Sequence, residues 1–208
     1  MPQMKEKRKV DRRIQRTRAA LRDALMRLII TKGYDEITIQ EITDEANVAR
    51  TTFYLHFNTK DDLLFGTMRD IYEDLYQSVE EDISNSFFSD NEADCIPEDF
   101  LHVQEYAEFY QIMLGERGSA AFLSRVRQYL AESIMEITLQ AIIPPDAETR
   151  IPLDMMSYAL AGAQIGVMKW WLDTGMEQSP QKVAFMLEQL LKRGMLWGLK
   201  LDANDTNN

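Results

Sequence analysis

The chain of 208 residues has few of the side chains that build disulfides and metal sites. Its one cysteine, Cys95, has no partner for an internal disulfide, and its two histidines, His56 and His102, stand far apart in the sequence. GxSxG, HExxH and CxxC motifs are also missing, as is a glycine-rich phosphate loop. We therefore expect no metal, no cofactor and no enzymatic activity.

Glycine and proline are scarce too, with nine and six residues, which excludes collagen-like and low-complexity chains and favours long helices. The best candidate for a membrane span, Met155–Met168, has 14 uncharged residues, whereas a spanning helix needs roughly 18. The basic N-terminus lacks the apolar stretch of a secretory signal. Because 45% of the residues are apolar, we expect a globular, cytoplasmic protein with its own core and no membrane partner.

The charge of the chain is unevenly distributed. Residues 1–60 carry 13 Lys and Arg against 8 Asp and Glu, whereas residues 61–208 carry 10 against 26. The strongest excess lies in residues 1–32, with 11 basic and 3 acidic side chains. Such asymmetry is typical of a chain with one end that meets a polyanion, although a solvated helix face and a disordered tail would give the same excess.

Apolar residues recur with a helical period along nearly the whole chain, and no convincing strand pattern occurs, so the predicted fold class is all-α. Gly33 suits a helix stop, Thr38 and Glu41 have the spacing of a capping box, and Asn47 tolerates a left-handed turn. The predicted helices cover about 11–32, 39–45, 49–55, 59–81, 97–114, 119–142, 152–173 and 180–199, with a long loop over 84–96.

Two short helices joined by a tight turn and propped on a longer one form a helix-turn-helix, whose second helix can enter the major groove of DNA. This part of the chain, about residues 10–65, resembles the TetR family of bacterial transcriptional regulators. The resemblance rests on Tyr34, Thr38, Ile42, Ala46, Val48, the run TTFYLHF at 51–57, Lys60, Leu63 and Leu64. Asn47 replaces the usual Gly, and Ala49 replaces the usual helix cap, which costs about 1 kcal/mol locally.

The resemblance implies an N-terminal three-helix head and a C-terminal helical domain for ligand binding and dimerisation. We place the DNA-binding domain, with its basic N-terminal arm, at residues 1–58. The regulatory and dimerisation domain follows at 59–201, and a disordered tail at 202–208.

Six positions match DNA-contacting positions of the family. By resemblance, Arg50, Thr51 and Thr52 face base edges, whereas Tyr54, His56 and Lys60 hold phosphates. Gln40 lies near the start of the second helix and is expected to contact the DNA backbone for that reason. The chemistry agrees, since Arg can bind guanine through two hydrogen bonds and Thr can offer a hydroxyl or a methyl group. The two threonines could instead be merely exposed, and His56 could simply orient the following turn.

The last two predicted helices carry small residues on one face, beside an aromatic side chain. This set is Ala159, Gly162, Gly166, Trp170, Gly194 and Gly198. Because a helical Gly costs up to about 1 kcal/mol relative to Ala, another backbone is expected to approach closely. We favour a homodimer through a four-helix bundle, as in the family, since two-fold symmetry supplies the second recognition helix for a palindromic operator. Close packing within one chain is the alternative.

The resemblance further implies a site for an unknown small-molecule effector between the regulatory helices. Its expected lining is aromatic and thioether side chains, namely Phe109, Tyr110, Met113, Phe122, Met155 and Met168. A stripe of this kind is also typical of an ordinary core. Glu105, Glu108 and Glu116 lie nearby in sequence and suit a cation, so the effector is expected to be apolar or cationic.

The resulting prediction is a ligand-responsive, homodimeric repressor that binds double-stranded DNA and releases a palindromic operator when the effector binds. A second interpretation is a coactivator or interaction protein of the same fold, controlled by a protein partner. The missing cap at Ala49 supports this alternative, whereas the intact TTFYLHF run and the basic first helix oppose it.

Overall fold

The computed structural model describes residues 2–79, 89–139, 142–143 and 148–199. Within these ranges the chain forms nine α-helices and no strand, which confirms the all-α prediction. The helices are α1 (Pro2–Lys32), α2 (Ile39–Glu45), α3 (Arg50–Tyr54), α4 (Lys60–Val79), α5 (Glu98–Glu105), α6 (Ala107–Met113), α7 (Ala120–Ser133), α8 (Leu153–Asp173) and α9 (Pro180–Gly198). Below, α1–α3 are called the head and α4–α9 the body. Residues 84–88 of the predicted loop and the predicted tail lie outside the described residues.

Local chemistry sets the helix-turn-helix as the sequence predicts. The Thr38 hydroxyl accepts a hydrogen bond from the Glu41 backbone N–H, and the Glu41 carboxylate accepts one from the Thr38 N–H at 2.9 Å, which completes the capping box. Asn47 has a φ of 53°, the left-handed turn that its short polar side chain tolerates. The Val48 N–H then bonds the Thr43 carbonyl at 3.0 Å, so the chain reverses tightly into α3.

The short helix α3 depends on packing, because its cap position contributes no side-chain bond. Ala49 is extended, and its side chain has no oxygen that could accept a hydrogen bond from the free N–H groups of α3. Phe53 is fully buried and anchors the helix from its inner side, at 5.9 Å from the Phe57 ring centroid. Around it lie the buried residues of the other head helices, Leu21, Ala24, Leu25, Ile29 and Ile42.

Two of the predicted helices are interrupted. Neither interruption contains a Gly or Pro, so the sequence does not predict it. The helix expected over 97–114 breaks at Tyr106, where φ is −112° and ψ is 35°. The break lets both Val103 before it and Phe109 after it be buried. The helix expected over 119–142 ends as α7 at Ser133 and continues as a π-helical segment, Ile134–Leu139, which shifts the phase of the side chains.

The body is centred on α8, which packs against α7 and α9. Trp171 of α8 is fully buried, and its indole N–H donates to the Gln178 carbonyl at 2.9 Å, so its polar atom is satisfied. Its ring meets the edge of Phe100 at 5.6 Å. One continuous set of buried side chains runs from the head into the body. The boundary at 58–59 falls between α3 and α4 and stays a prediction.

The position of Gly198 contradicts its predicted place in the dimer face. A Cβ atom added there would lie 2.7 Å from Met156 Cε and 3.0 Å from Ile151 Cδ1, and Gly198 is buried. The close approach that a helical glycine suggests is therefore made within the chain at this position. The other small residues behave differently, as described below.

Gly198→Ala is expected to lower the free energy of unfolding by about 1 kcal/mol, because the end of Met156 and the side chain of Ile151 must shift to admit the methyl group. Gly66→Ala is the matched control, since an added Cβ on that α4 residue meets Phe57 at an ordinary 3.6 Å. There the gain in helix propensity, up to about 1 kcal/mol, should be neutral or stabilising. Urea unfolding followed by circular dichroism measures both variants, and equal effects would contradict the assignment.

Candidate DNA interface, dimer face and regulatory core

Helix α3 divides into a buried and an exposed side. Phe53 points into the core, whereas Arg50, Thr51 and Tyr54 are exposed and Thr52 is partly buried. The Arg50 guanidinium donates to the Tyr54 hydroxyl at 3.3 Å, which holds it along the helix. A guanidinium has five N–H donors, so most of them stay available for base edges. The base-reading roles of Arg50, Thr51 and Thr52 stay predictions, and this exposure supports them.

The side chains of Gln40 and His56 are less available for contact with DNA. The Gln40 side-chain amide donates to the Asp44 carboxylate at 2.8 Å, one turn along α2, so a DNA contact by Gln40 competes with this bond. His56 is partly buried, with its ring 6.4 Å from that of Phe57. This position is compatible both with a phosphate contact and with the turn-orienting role.

Lys60 is partly buried and bonded to the protein's own backbone. Its ammonium group donates to the backbone carbonyls of Tyr34 at 2.9 Å and of Asp35 and Ile37 at 3.0 Å, and it lies 4.4 Å from the centroid of the Tyr34 ring. An ammonium has three donors, and all three are used here. In this conformation no donor is left for a phosphate, so the geometry favours a structural role that fastens the α1–α2 loop to the start of α4.

Leu55 is a candidate that sequence reasoning missed. It follows α3 directly and is 80% exposed, the highest value for a large apolar side chain in the described part of the chain. It lies four residues after Thr51 and so shares a helix face with a predicted base contact. The sequence predicts no role for Leu55, and the structure of α3 buries Phe53 while leaving Leu55 outside. An exposed Leu on this side suits contact with a thymine methyl group.

One face of α8 and α9 is apolar and open to solvent. Small residues line its centre, and added Cβ atoms at Gly162, Gly166 and Gly194 would meet nothing within 4 Å. Large apolar side chains surround them with exposures of 39–73%, namely Met155, Tyr158, Trp170, Met186, Leu190 and Trp197. Ala159 is also exposed on this face. We call this set, with Ala159 and the three glycines, the α8–α9 face.

The position of Met155 contradicts its predicted place in the lining of the effector site. Its side chain is 61% exposed and belongs to the α8–α9 face, because residues 155, 159, 162 and 166 recur at helical spacing on the outside of α8. It therefore lines no interior site in this structure.

The other five predicted lining residues lie together in what we call the regulatory core. Phe109, Tyr110, Met113, Phe122 and Met168 are each at most 4% exposed. The Phe109 ring meets the edges of Tyr110 at 5.3 Å and of Phe122 at 6.5 Å. Two open depressions of about 150 and 580 Å³ occur at the junction of α1 with the body, and neither is lined by these five side chains. Glu105, Glu108 and Glu116 are exposed rather than directed into this core.

A carboxylate connects α5 with α8. Asp99, in the first turn of α5, accepts a hydrogen bond from the Gln164 amide of α8. Removal of the carboxylate from water raises the pKa of Asp99 to about 6; the hydrogen bond from Gln164 opposes this increase, and the charge of Glu98 adds to it. Asp99 therefore links the start of α5 to α8 with a group that is costly to ionise.

Asp99→Asn is expected to raise stability at pH 7 by an amount of order 2 kcal/mol. The folded pKa of about 6 lies above the ordinary value of 3.8, so the folded protein binds the proton more tightly. The native chain should lose stability as the pH rises from about 4 to 6, and the variant should lose less. Unfolding free energies between pH 4 and 8 measure this. Asp154→Asn, at an exposed first-turn Asp of α8, is the control, and a variant less stable than the native chain at pH 7 would refute the expectation.

Comparison with known proteins identifies the family. The sequence profile of the bacterial regulatory proteins of the tetR family matches residues 21–72, and a TetR profile described as a transcriptional regulator C-terminal region matches residues 90–193. An uncharacterized HTH-type transcriptional regulator, YxbF of Bacillus subtilis, is 44% identical over 66 residues, which are 31% of this chain and only 17% of that relative. The chain belongs to the TetR family of bacterial transcriptional regulators.

Solved structures share the fold at low identity. A TetR transcriptional regulator from Streptococcus agalactiae superposes with a TM-score of 0.60 at 23% identity, over 87% of this chain and 96% of that one. NalD, the secondary repressor of the MexAB-OprM multidrug efflux pump in Pseudomonas aeruginosa, gives 0.54 at 17% identity, over 87% and 96%. No helix in the described part of the chain combines the length and apolarity that crossing a bilayer requires.

Proposed function

We propose that this transcriptional regulator is a homodimeric repressor that binds a palindromic DNA operator through α3 and releases it in response to an effector. The observation that carries the proposal is the division of α3, with Phe53 buried and Arg50, Thr51 and Tyr54 exposed. A helix fixed from one side and rich in hydrogen-bond donors on the other suits the major groove. The excess of basic residues in the first third of the chain provides attraction to phosphates.

The α8–α9 face supports assembly as a dimer. An apolar face with three glycines that meet nothing in their own chain has room for the backbone of a second copy. Two-fold symmetry would bring two heads to one duplex, with half-sites about one helical turn apart. The proposed partners are therefore a second copy of the chain and double-stranded DNA.

For the effector, the regulatory core supports a small apolar molecule that enters by displacing Met113 or its neighbours. Aromatic rings and flexible thioethers adapt to such ligands. The exposed positions of Glu105, Glu108 and Glu116 give no support to a cation at that core. The burial of all five lining residues favours a second candidate, which is control by a protein partner without an internal ligand.

Arg50→Ala is expected to relax base preference at one operator position by about 1 to 3 kcal/mol while leaving unfolding unchanged. The DNA probe is a duplex that the native protein selects from a random library, and binding is measured by fluorescence anisotropy. Lys60→Met is the comparison variant and is expected to lower the unfolding free energy by about 2 kcal/mol, because charged hydrogen bonds to three carbonyls are lost. Failure to select any sequence would refute the proposed function, and weaker binding by a fully stable Lys60→Met would restore its phosphate role.

Gly166→Leu is expected to shift the protein from dimer towards monomer, because overpacking a tight interface costs about 1 to 3 kcal/mol per site. Within its own chain the new side chain has space, since nothing lies within 4 Å of an added Cβ. Gly166→Ala provides a graded control with a smaller expected shift. Sedimentation velocity measures the shift, and a native chain that sediments as a monomer at micromolar concentration would disprove the dimer.

A further inference from the structure

We propose that residues 89–99, called here the 89–99 segment, cross-link α8 to α9 behind the α8–α9 face and so position the surface through which two copies meet. The inference rests on the dimer proposed above and deepens it. It gives positioning roles to Gln164 of α8 and to Gln181 and Lys192 of α9. It follows from the hydrogen bonds that hold the segment and from the sides of α8 and α9 on which those bonds are made.

Helix α9 holds the first part of the segment. The Gln181 amide donates to two backbone carbonyls of the segment, at 2.6 and 3.0 Å. About three turns further along α9, the Lys192 ammonium donates to the Ser89 carbonyl at 2.9 Å and to the Asp90 carboxylate at 2.8 Å. Lys192 is only 8% exposed, so its charge is largely removed from water and depends on these partners.

Helix α8 holds the other end of the segment. The Asp99 carboxylate accepts a hydrogen bond from the Gln164 amide. The next residue, Phe100, is 3% exposed, and its ring meets that of Trp171 on α8 at 5.6 Å. One short stretch of chain is therefore bonded to both helices of the α8–α9 face.

Hydrogen bonds within the segment give it a fixed shape. The Ser89 hydroxyl donates to the Asp94 carboxylate at 2.7 Å and accepts from the Asn91 N–H at 3.0 Å. The Asn91 side chain caps the 3-10 turn Glu92–Asp94, and Cys95 after this turn is buried. Because side chains hold its turns, the segment is a spacer of defined length rather than a flexible linker.

The bonds to the segment are made on the sides of α8 and α9 that face away from the second copy. Successive residues of a helix are about 100° apart, so positions two residues apart lie on nearly opposite sides. Gln164 stands midway between Gly162 and Gly166, and Lys192 stands two residues before Gly194. The segment therefore fixes both helices from behind and leaves the α8–α9 face open.

The composition of the face makes the relative position of its two helices important. Gly162 and Gly166 belong to α8 and Gly194 to α9, and added Cβ atoms at all three would meet nothing within 4 Å. Trp170 of α8 and Leu190 of α9 stand beside them with exposures of 49% and 73%. Because packed interfaces leave few voids, a rotation of one helix against the other would bring a large side chain into the space over the glycines.

Direct contacts join α8 and α9 near the ends of the pair. Gly198, at the end of α9, lies against Met156 in the first turn of α8. At the other end the Trp171 indole of α8 donates to the Gln178 carbonyl in the turn that leads to α9. The 89–99 segment adds bonds between these two points, at Gln164 on α8.

The test breaks each end of the cross-link separately and then both ends together. Gln164→Met removes the bond to Asp99, and Gln181→Met with Lys192→Met removes bonds made by α9 while keeping side chains of similar length. Sedimentation velocity over a range of protein concentrations measures the dimer dissociation constant. Either break is expected to raise this constant about tenfold, because both protomers must adopt the competent arrangement and a fall to about one third in each gives that factor.

The joint variant distinguishes a cross-link from independent contacts. A cross-link broken at one end is not weakened further by a break at the other, so the joint variant should also show about a tenfold increase. Independent contacts would multiply to about a hundredfold, and that result, or a native dissociation constant after either break, overturns the proposal. Gln128→Met is the matched control, since it removes only an exposed bond to Glu132 within α7 and should leave the constant unchanged.

A variant confined to the segment keeps the proposal testable if the α9 variant does not fold. Asp90→Lys with Glu92→Lys places cations opposite Lys192 and Lys182 and changes no residue of α8 or α9. Both replaced side chains are at least 40% exposed, so the circular dichroism spectrum should match that of the native chain. The dissociation constant should again rise about tenfold, and an unchanged constant contradicts the proposal.

Failure of the proposed dimer is recognised separately. If the native chain sediments as a monomer, the dimer is wrong, and amide hydrogen exchange tests the cross-link within one chain. Gln164→Met should then speed exchange of the Asp94 and Cys95 amides, which bond the Asn91 and Glu92 carbonyls at the α9 end of the segment. Faster exchange there supports the cross-link without a dimer, and unchanged exchange overturns it.

Discussion

The position of the recognition helix depends on one partly buried set of hydrogen bonds at the start of α4. The ammonium of Lys60 holds three backbone carbonyls of the α1–α2 loop, and the hydroxyl of Tyr34, in the same loop, donates to Asp61. Helix α4 then contacts α7 within its first two turns, where the Phe65 ring meets the edge of Tyr129. Because side chains fix α4 both to the α1–α2 loop and to α7, we expect a displacement of α7 to move the helix-turn-helix rather than to be absorbed by a flexible linker.

Features that depend on residues within four positions of one another could be predicted from the sequence. The Thr38–Glu41 capping box, the left-handed Asn47 and the first turn of α9 at Pro180 are such features. The break at Tyr106 and the π-helical segment could not be predicted, because they satisfy packing between distant helices. Gly194 and Gly198 look alike in sequence, yet only Gly198 meets Ile151 and Met156 of its own chain.

In the candidate site, too, some features could be predicted from the sequence and others could not. The helical period of α3 is enough to predict that Phe53 is buried and Arg50 exposed. The composition of the sequence does not predict which residues a side chain contacts after folding. From the sequence Lys60 is predicted to be a free cation. In the structure its hydrogen-bond partners lie on a loop more than 20 residues earlier. Along α1 every arginine counts equally in the sequence, whereas within the described part of the chain Arg27 forms an ion pair with Glu45 and no ion pair of Arg16 occurs. Pairing is a property of the fold.

Helix α8 joins the interior of the body to its outer face. Gln164 bonds Asp99 and Met168 lies in the regulatory core, while Gly166 and Trp170, on the other side of the same turns, belong to the α8–α9 face. A packed helix moves as a unit, so a change inside the core alters how two such faces would meet, and with it the spacing of two heads. A ligand can bias that spacing by no more than its differential affinity for the two arrangements, typically about 1 to 3 kcal/mol of coupling. Since the groove spacing of DNA is fixed, a bias of this size is enough to weaken binding about 5- to 150-fold.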